Sequence, residues 1–428
     1  MRQFLVGAVL AALTATVADA APTYIHAGRL IDVPGKAVRG PSTIVVDNGR
    51  IVSVTDGLTR VEPGVPFIDL STRTVLPGLI DSHVHLSSDR GGEAGLVAYM
   101  REEPQMNALE AQMNGMKTLR AGFTTVRNLG DDGATLALRE AIKRGWVQGP
   151  RIVDAASSIS TTGGHMDGRG ALNDELVSHL SSPENLCDGV DACRKVVRRQ
   201  IDRGADVIKF ATTGGVNSGT GLATRMYEDE ARALVETAHA YGRKVAVHAH
   251  GADGIKLALR AGADSIEHGT VMDDEIVRAM KKQGTYYVPT LSTVNGYLER
   301  LAANPNAYAP DVKKQIDWRI GITGQSLAKA YPAGVKIAFG TDAGVSKHGR
   351  NADEFELMVK WGMPPAEAIK AATVNAADLL GLSSEIGTIE PGKSADIIAV
   401  TGDPLSDVTV LKKVDFVMAR GEVIRAAR

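Results

Sequence analysis

Six side chains able to bind a cation or move a proton follow one another in a fixed order: His83 and His85, then Lys209, His248, His268 and Asp342. Each lies at or near the C-terminal end of a short apolar run. Short apolar runs alternating with helix-length amphipathic stretches favour βα units and a parallel sheet. A closed parallel sheet places its reactive groups at the C-terminal ends of its strands. The pattern predicts an α/β fold, a TIM-type (β/α)8 barrel whose six donors gather at one mouth. The strands predicted are Val75–His85, Thr124–Leu129, Ile152–Ser157, Val207–Ala211, Val245–His250, Ser265–His268, Thr285–Leu291 and Lys336–Asp342. Helices are predicted over stretches that include Pro104–Ala121, Tyr227–Tyr241, Ala252–Ala261 and Asp311–Tyr331. No repeat longer than the βα unit and no low-complexity tract is found.

His83 and His85 are two positions apart on one run, so strand geometry puts both imidazoles on one face, within reach of one ion. Taken alone, such a pair reads equally as two satisfied core histidines. Lys209, in Val-Ile-Lys-Phe, stands where burial disfavours an ammonium. A neutral lysine can add carbon dioxide, and the resulting carbamate is a two-oxygen anion able to bridge two cations. The alternative for Lys209 is an ion pair with a carboxylate such as Asp342. His248 and His268 fall on successive predicted strands, with one helix between them. Their neutral imidazoles suit zinc, nickel or cobalt. His250 shares the face of His248 one step further along, which suits substrate contact. Glu267 points away from His268 and reads as a structural carboxylate. Asp342, after Phe-Gly-Thr, could hold a cation and accept a proton from water; a turn or helix cap is its plainer reading.

The two ends of the chain differ from this centre. Runs at Tyr24–His26, Ser42–Val46 and Ile51–Val54 recur in kind at Ala395–Val400, Val414–Met418 and Glu422–Arg425. Neither set is long enough to stand alone, so both are expected to build one small β-sandwich. The division is 21–75 with 385–428 for the sandwich and 76–384 for the barrel. Residues 1–20 have the charged start, apolar centre and Ala-Asp-Ala end of a secretory signal, with cleavage expected after Ala20 and export to the periplasm or medium. In an oxidising compartment Cys187 and Cys193 form a disulfide or remain two thiols. The chain has 428 residues, a net charge of −2 and 23% charged residues, ample for a large core and without the basic footprint of a nucleic-acid binder.

Pro-Gly-Leu-Ile-Asp-Ser-His-Val-His, Val-Ile-Lys-Phe, Val-His-Ala-His-Gly, Ser-Ile-Glu-His-Gly, Phe-Gly-Thr-Asp and Gly-Thr-Ile-Glu-Pro-Gly-Lys-Ser-Ala-Asp-Ile occur in this order. In these motifs the chain resembles the amidohydrolase superfamily over nearly its whole mature length. Within it the chain is similar to the binuclear branch of Xaa-Pro and Xaa-Arg dipeptidases, imidazolonepropionase-like proteins and ochratoxin-hydrolysing enzymes. The resemblance implies a hydrolase with two divalent cations, zinc by expectation. His83 and His85 would hold the buried cation and His248 and His268 the exposed one, with carbamylated Lys209 between. Asp342 would ligate the buried cation and shuttle protons. It implies cleavage of N-acyl amino acids or dipeptides, ochratoxin A included, with release of the C-terminal amino acid. Homo-oligomers are expected by the same analogy.

Substrate contacts are expected in the loops after the strands. His165, in Thr-Thr-Gly-Gly-His-Met, is a candidate for substrate contact or for donating to a developing oxyanion, and is taken with Asp342 and His250 as catalytic. Arg127, Tyr287 and Arg350 are candidates for gripping a substrate carboxylate, and Ser88 for the pocket rim. Each also reads as a packing or ion-pair residue. A lactonase or cyclic-amide hydrolase would use the same donors. A non-catalytic scaffold would lack some of them, and a mononuclear deaminase would lack Lys209.

Overall fold

The computed structural model describes residues 21–427, apart from 91–94, 96, 99, 100, 170–172, 174, 176, 178–183, 218 and 219. The expected signal segment, 1–20, lies outside the described residues. No described helix is long and apolar enough to cross a membrane.

Both chain ends build one small domain. Strands β1 (Thr23–Leu30), β2 (Ser42–Asp47), β3 (Arg50–Asp56) and β4 (Phe67–Pro77) come from the N-terminal part. Three more, β12 (Ile397–Val400), β13 (Val414–Ala419) and β14 (Glu422–Arg425), come from the C-terminal part. In hydrogen-bonding terms the expected sandwich is one seven-stranded sheet, in the order β14-β13-β12-β4-β1-β2-β3. β4 joins the two ends, pairing in parallel with β1 and antiparallel with β12. One apolar cluster takes Ile25, Ile44 and Leu70 from one end and Ile397, Phe416 and Met418 from the other. Alternate residues Ile398, Val400, Val414 and Val417 belong instead to the barrel's cluster, so this arm of the sheet is apolar on both faces.

The single run expected over Val75–His85 is divided between the two domains. β4 ends at Pro77 and β5 (Leu79–Val84) begins after Gly78. Proline offers no N–H to a ladder, and a Cβ on Gly78 would stand 2.2 Å from Thr124 Oγ1. The chain therefore turns between domains at Gly78.

The parallel strands form two arcs. One is β5, β6 (Phe123–Asn128) and β7 (Arg151–Asp154); the other is β8 (Val207–Ala211), β9 (Lys244–Ala249), β10 (Ser265–His268) and β11 (Tyr286–Val288). They do not close into one continuous ladder. At one seam a single bridge joins Ile159 to Phe210, and Asp206 N–H donates to Asp154 O at 2.7 Å. At the other, the run expected as the eighth strand, Lys336–Asp342, makes a bridge from Ile337 to Tyr287 but no strand. Its end runs beside β5, where Ser82 N–H donates to Phe339 O at 2.9 Å and Asp342 N–H to His83 O at 2.7 Å, while the buried Asp81 carboxylate accepts from Thr341 N–H at 3.1 Å and Thr341 Oγ1 at 2.6 Å.

The helices cover the barrel as amphipathic units. Asp274–Gln283 buries Ile276, Val277 and Met280, Asp273 caps its start by accepting from Ile276 N–H, and Gly284 ends it in the left-handed region. The helix expected over Asp311–Tyr331 is broken into Pro310–Ile322 and Gln325–Ala330. Gly324 has φ +84°, and a Cβ there would lie 2.1 Å from the Trp361 ring, so the break and the close packing both depend on glycine. It leaves Arg319 in the last turn of the first piece.

Candidate metal centre

The strand ends bring all six predicted donors to one cavity of about 190 Å³, which His165 and His250 also line. His83 Nε2 and His85 Nε2 lie 3.5 and 3.3 Å from the same oxygen, Asp342 Oδ1. Donor atoms each about 2.0–2.2 Å from a tetrahedral zinc stand about 3.4 Å from one another, so this spacing fits ligands around one cation. Among the described residues, two sets of three have their donor atoms mutually within 4.8 Å: His83, His268 and Asp342, and His248, His250 and His268. His250 thus stands beside His248 and His268 at the edge of the same cluster. Its ring is stacked on that of His268 at 4.8 Å.

Partners behind the rings decide which nitrogen faces the cavity. His83 Nδ1–H donates to Glu267 Oε2 at 2.8 Å, and His85 Nδ1–H to Gly130 O at 2.8 Å. Both therefore present an Nε2 lone pair. His248 is reversed: its Nε2–H donates to Gly214 O at 3.2 Å, which leaves Nδ1 as the donor. His268 Nδ1 pairs with Thr290 Oγ1 at 2.8 Å and His250 Nδ1 with Thr270 Oγ1 at 2.7 Å. His268 and Asp342 have φ of 69° and 57°. Such backbone costs about 1 kcal/mol or more at each residue and persists where surrounding structure enforces it.

Electrostatics prepare the same groups. Burial lowers His83 to about 4 and holds His248, His250 and His268 well below the ordinary imidazole value. Burial works against the Asp342 charge, but His83 and His85 outweigh it and hold this carboxyl at about 2. At neutral pH His83, His248, His250 and His268 are neutral imidazoles and Asp342 an ionised carboxylate, the protonation states that divalent cations require. Burial also lowers Lys209 to about 8. Its Nζ is 3.4 Å from His83 Nε2, and no carboxylate among the described residues forms an ion pair with it. The ion pair with Asp342 weighed above is therefore not made.

The remaining candidates separate. His165 lies against the site, its ring centroid 4.2 Å from that of His248, with burial lowering it to about 4. Gly215 allows this approach, because a Cβ there would meet the imidazole at 2.0 Å. Arg127 does not face the cavity. It is buried beneath it, donating to Glu267 Oε1 at 2.8 Å and to Ser82 O at 2.6 Å, because its strand face points into the barrel interior. Tyr287 is buried with its hydroxyl donating to His268 O at 3.1 Å. Arg350 is paired with Glu299 and Asp353 outside the cavity. Ser88 does not line it either; its hydroxyl accepts from Arg90 N–H at 3.1 Å. Glu267 is the structural carboxylate expected, and it also orients His83.

Sequence reasoning missed Arg319, Tyr297, Asn217 and Met166, which line the cavity. Arg319 and Tyr297 come from helices without a motif, so no local signal marks them. Cys187 and Cys193 are joined in a disulfide. It supports the His165 loop: Cys187 N–H donates to Ser160 O, and Asn185 Nδ2 to Met166 O at 3.0 Å.

Comparison with known proteins gives the same answer. The chain is 31% identical to the ochratoxinase of Aspergillus niger over 422 residues, 93% of this chain and 85% of that one. A Xaa-Pro dipeptidase solved with methionine bound in its active site is 41% identical, with a TM-score of 0.88 over 94% of this chain and 99% of its own. A prolidase complexed with N-methylphosphonate-L-proline is 31% identical, with a TM-score of 0.85 over 95% of this chain and 100% of its own. Residues 74–424 match the amidohydrolase family. With that match covering both the barrel and its donor-lined cavity, the chain belongs to the amidohydrolase family and is a hydrolytic enzyme acting on carbon–nitrogen bonds.

Proposed function

We propose that this protein is a binuclear, zinc-dependent carboxypeptidase-like enzyme that releases the C-terminal amino acid from N-acyl amino acids or dipeptides, ochratoxin A among them. The observation that carries the reading is the convergence of His83, His85, Lys209, His248, His268 and Asp342 on one cavity. The choice of substrate is supported by similarity to an ochratoxinase and to a Xaa-Pro dipeptidase solved with methionine in its active site.

In this reading His83, His85 and Asp342 hold one cation, and His248 and His268 the other. When bound, the two cations would polarise the amide carbonyl and make water a nucleophile at neutral pH. Asp342, ionised above about pH 2, accepts the proton lost by water and returns it to the leaving nitrogen. Lys209 would add carbon dioxide through its neutral amine, forming a nitrogen–carbon bond with release of a proton, and the carbamate would offer two oxygens as ligands to the cations. His165 and His250 contact the substrate and support charge that develops on the carbonyl oxygen. Glu267 holds the His83 ring in its ligating tautomer.

The test is a panel of N-acetyl amino acids, dipeptides and ochratoxin A, offered to metal-loaded protein with free amino acid as the readout. Two zinc ions per chain by elemental analysis and stoichiometric release of amino acid are expected. Full activity in protein stripped of metal, or ring opening of lactones without amide cleavage, would overturn the reading. Export belongs to the same proposal: N-terminal sequencing of the mature protein should begin at Ala21. So does self-association, which light scattering would report as a mass above 45.2 kDa.

A further inference from the structure

We propose that Arg319, assisted by the Tyr297 hydroxyl, binds the free α-carboxylate of the substrate's C-terminal residue. The inference deepens the carboxypeptidase reading and rests on it for the nature of the bond cleaved. Arg319 is only 3% exposed. Arginine is rarely buried without a counter-ion, because an unpaired charge away from water costs several kcal/mol. Arg127, buried to the same degree, obeys this rule by pairing with Glu267. Arg319 does not. Its hydrogen bond is from Nη1 to Thr323 Oγ1 at 3.1 Å, and no carboxylate among the described residues forms an ion pair with it. The guanidinium lines the cavity of the predicted donors, so its missing counter-ion is one that enters that cavity.

The placement suits a leaving amino acid. Its carboxyl carbon is two bonds from the scissile nitrogen, so a cation that neutralises it must share a cavity with the groups that act on the amide. Tyr297 lines the same cavity and is 4% exposed, and its hydroxyl makes no hydrogen bond with any described residue. Burial raises its hydroxyl above the ordinary phenol value, so it remains a donor. A planar guanidinium and a phenol together match a carboxylate, which takes two parallel N–H donors and one more on its outer lone pair. The Thr323–Gly324 break supports this end of the site, since Thr323 Oγ1 also donates to Arg319 O at 2.7 Å.

Binding and turnover of N-acetyl-L-methionine and N-acetyl-L-methioninamide test the proposal, measured by calorimetry and amino-acid release on metal-loaded wild type, Arg319→Gln, Arg319→Lys and Arg350→Gln. Wild type and Arg350→Gln should prefer the free acid over the amide, and Arg319→Gln should reduce that preference by roughly thirtyfold or more, mainly through KM. Arg319→Lys keeps the charge without the fork and should fall between. Equal loss of both probes in Arg319→Gln and Arg319→Lys would mean a structural role and overturn the assignment. So would an undiminished preference in Arg319→Gln, or no preference in wild type. Arg319-dependent binding of the acid without hydrolysis of either probe would keep this assignment and reject the carboxypeptidase reading.

Discussion

Replacing Arg127 with methionine separates a substrate grip from a buried structural charge. Arg127 is 2% exposed and Glu267 0%, and their closest contact is 2.8 Å. Burial works to raise the Glu267 carboxyl, but Arg127 and His83 outweigh it and hold it at about 2, against an ordinary 4.5. Held there, the carboxylate contributes about 3 kcal/mol of folding stability. Removing one partner of a buried pair costs about 3–5 kcal/mol, so Arg127→Met should lose about that much in urea unfolding of metal-free protein at pH 7. The pH dependence has a definite sign. Because the folded-state value is depressed, the contribution is complete above about pH 4.5 and is lost as pH falls toward 2. The double variant Arg127→Met with Glu267→Gln should recover much of the loss, because no unpaired charge remains. A midpoint within about 1 kcal/mol of wild type, with KM raised for free-acid substrates, would refute this reasoning and return Arg127 to the substrate.

Lys209→Ala should lower the bound zinc below two per chain and abolish turnover, with partial recovery on adding short carboxylic acids; near-normal turnover and metal content would reject the carbamate. Cys187→Ser should cost about 2 kcal/mol in guanidinium unfolding and raise KM through the loop that carries His165; an unchanged midpoint and KM would show that the disulfide supports neither. Gly324→Ala should cost about 2 kcal/mol or more, because φ +84° and the Trp361 ring both oppose a side chain; its Tm should fall, and a Tm equal to wild type would refute the packing argument.

Much of the architecture was legible because it rests on local periodicity. Val207–Ala211 and Ser265–His268 have the same limits in both readings, as does the helix Ala252–Ala261. The His83–His85 pair shares a face for the same reason, since side chains two apart on a strand point the same way. Where competing partners lie far away in sequence, local reading fails. Lys336–Asp342 has a strand's apolar run and bonds to both β11 and β5, but without a regular ladder, and the N–H of Thr341 goes to Asp81, more than 250 residues earlier. Asp311–Tyr331 has a helix's composition, but it breaks at Gly324, where the distant Trp361 ring leaves no room for a side chain.

By itself the sequence determined which donor types stand at strand ends and in what order, because strand period and residue chemistry are properties of a few neighbouring residues. Only the tertiary structure decided which nitrogen each histidine presents, since that depends on Glu267, Gly130 and Gly214 behind the rings. It alone also decided which arginine is left without a counter-ion. Arg127 and Arg319 are alike as residues, and both are buried. They differ because Glu267 reaches one and no described carboxylate reaches the other: the pairing of a buried charge is settled by what the fold brings across space.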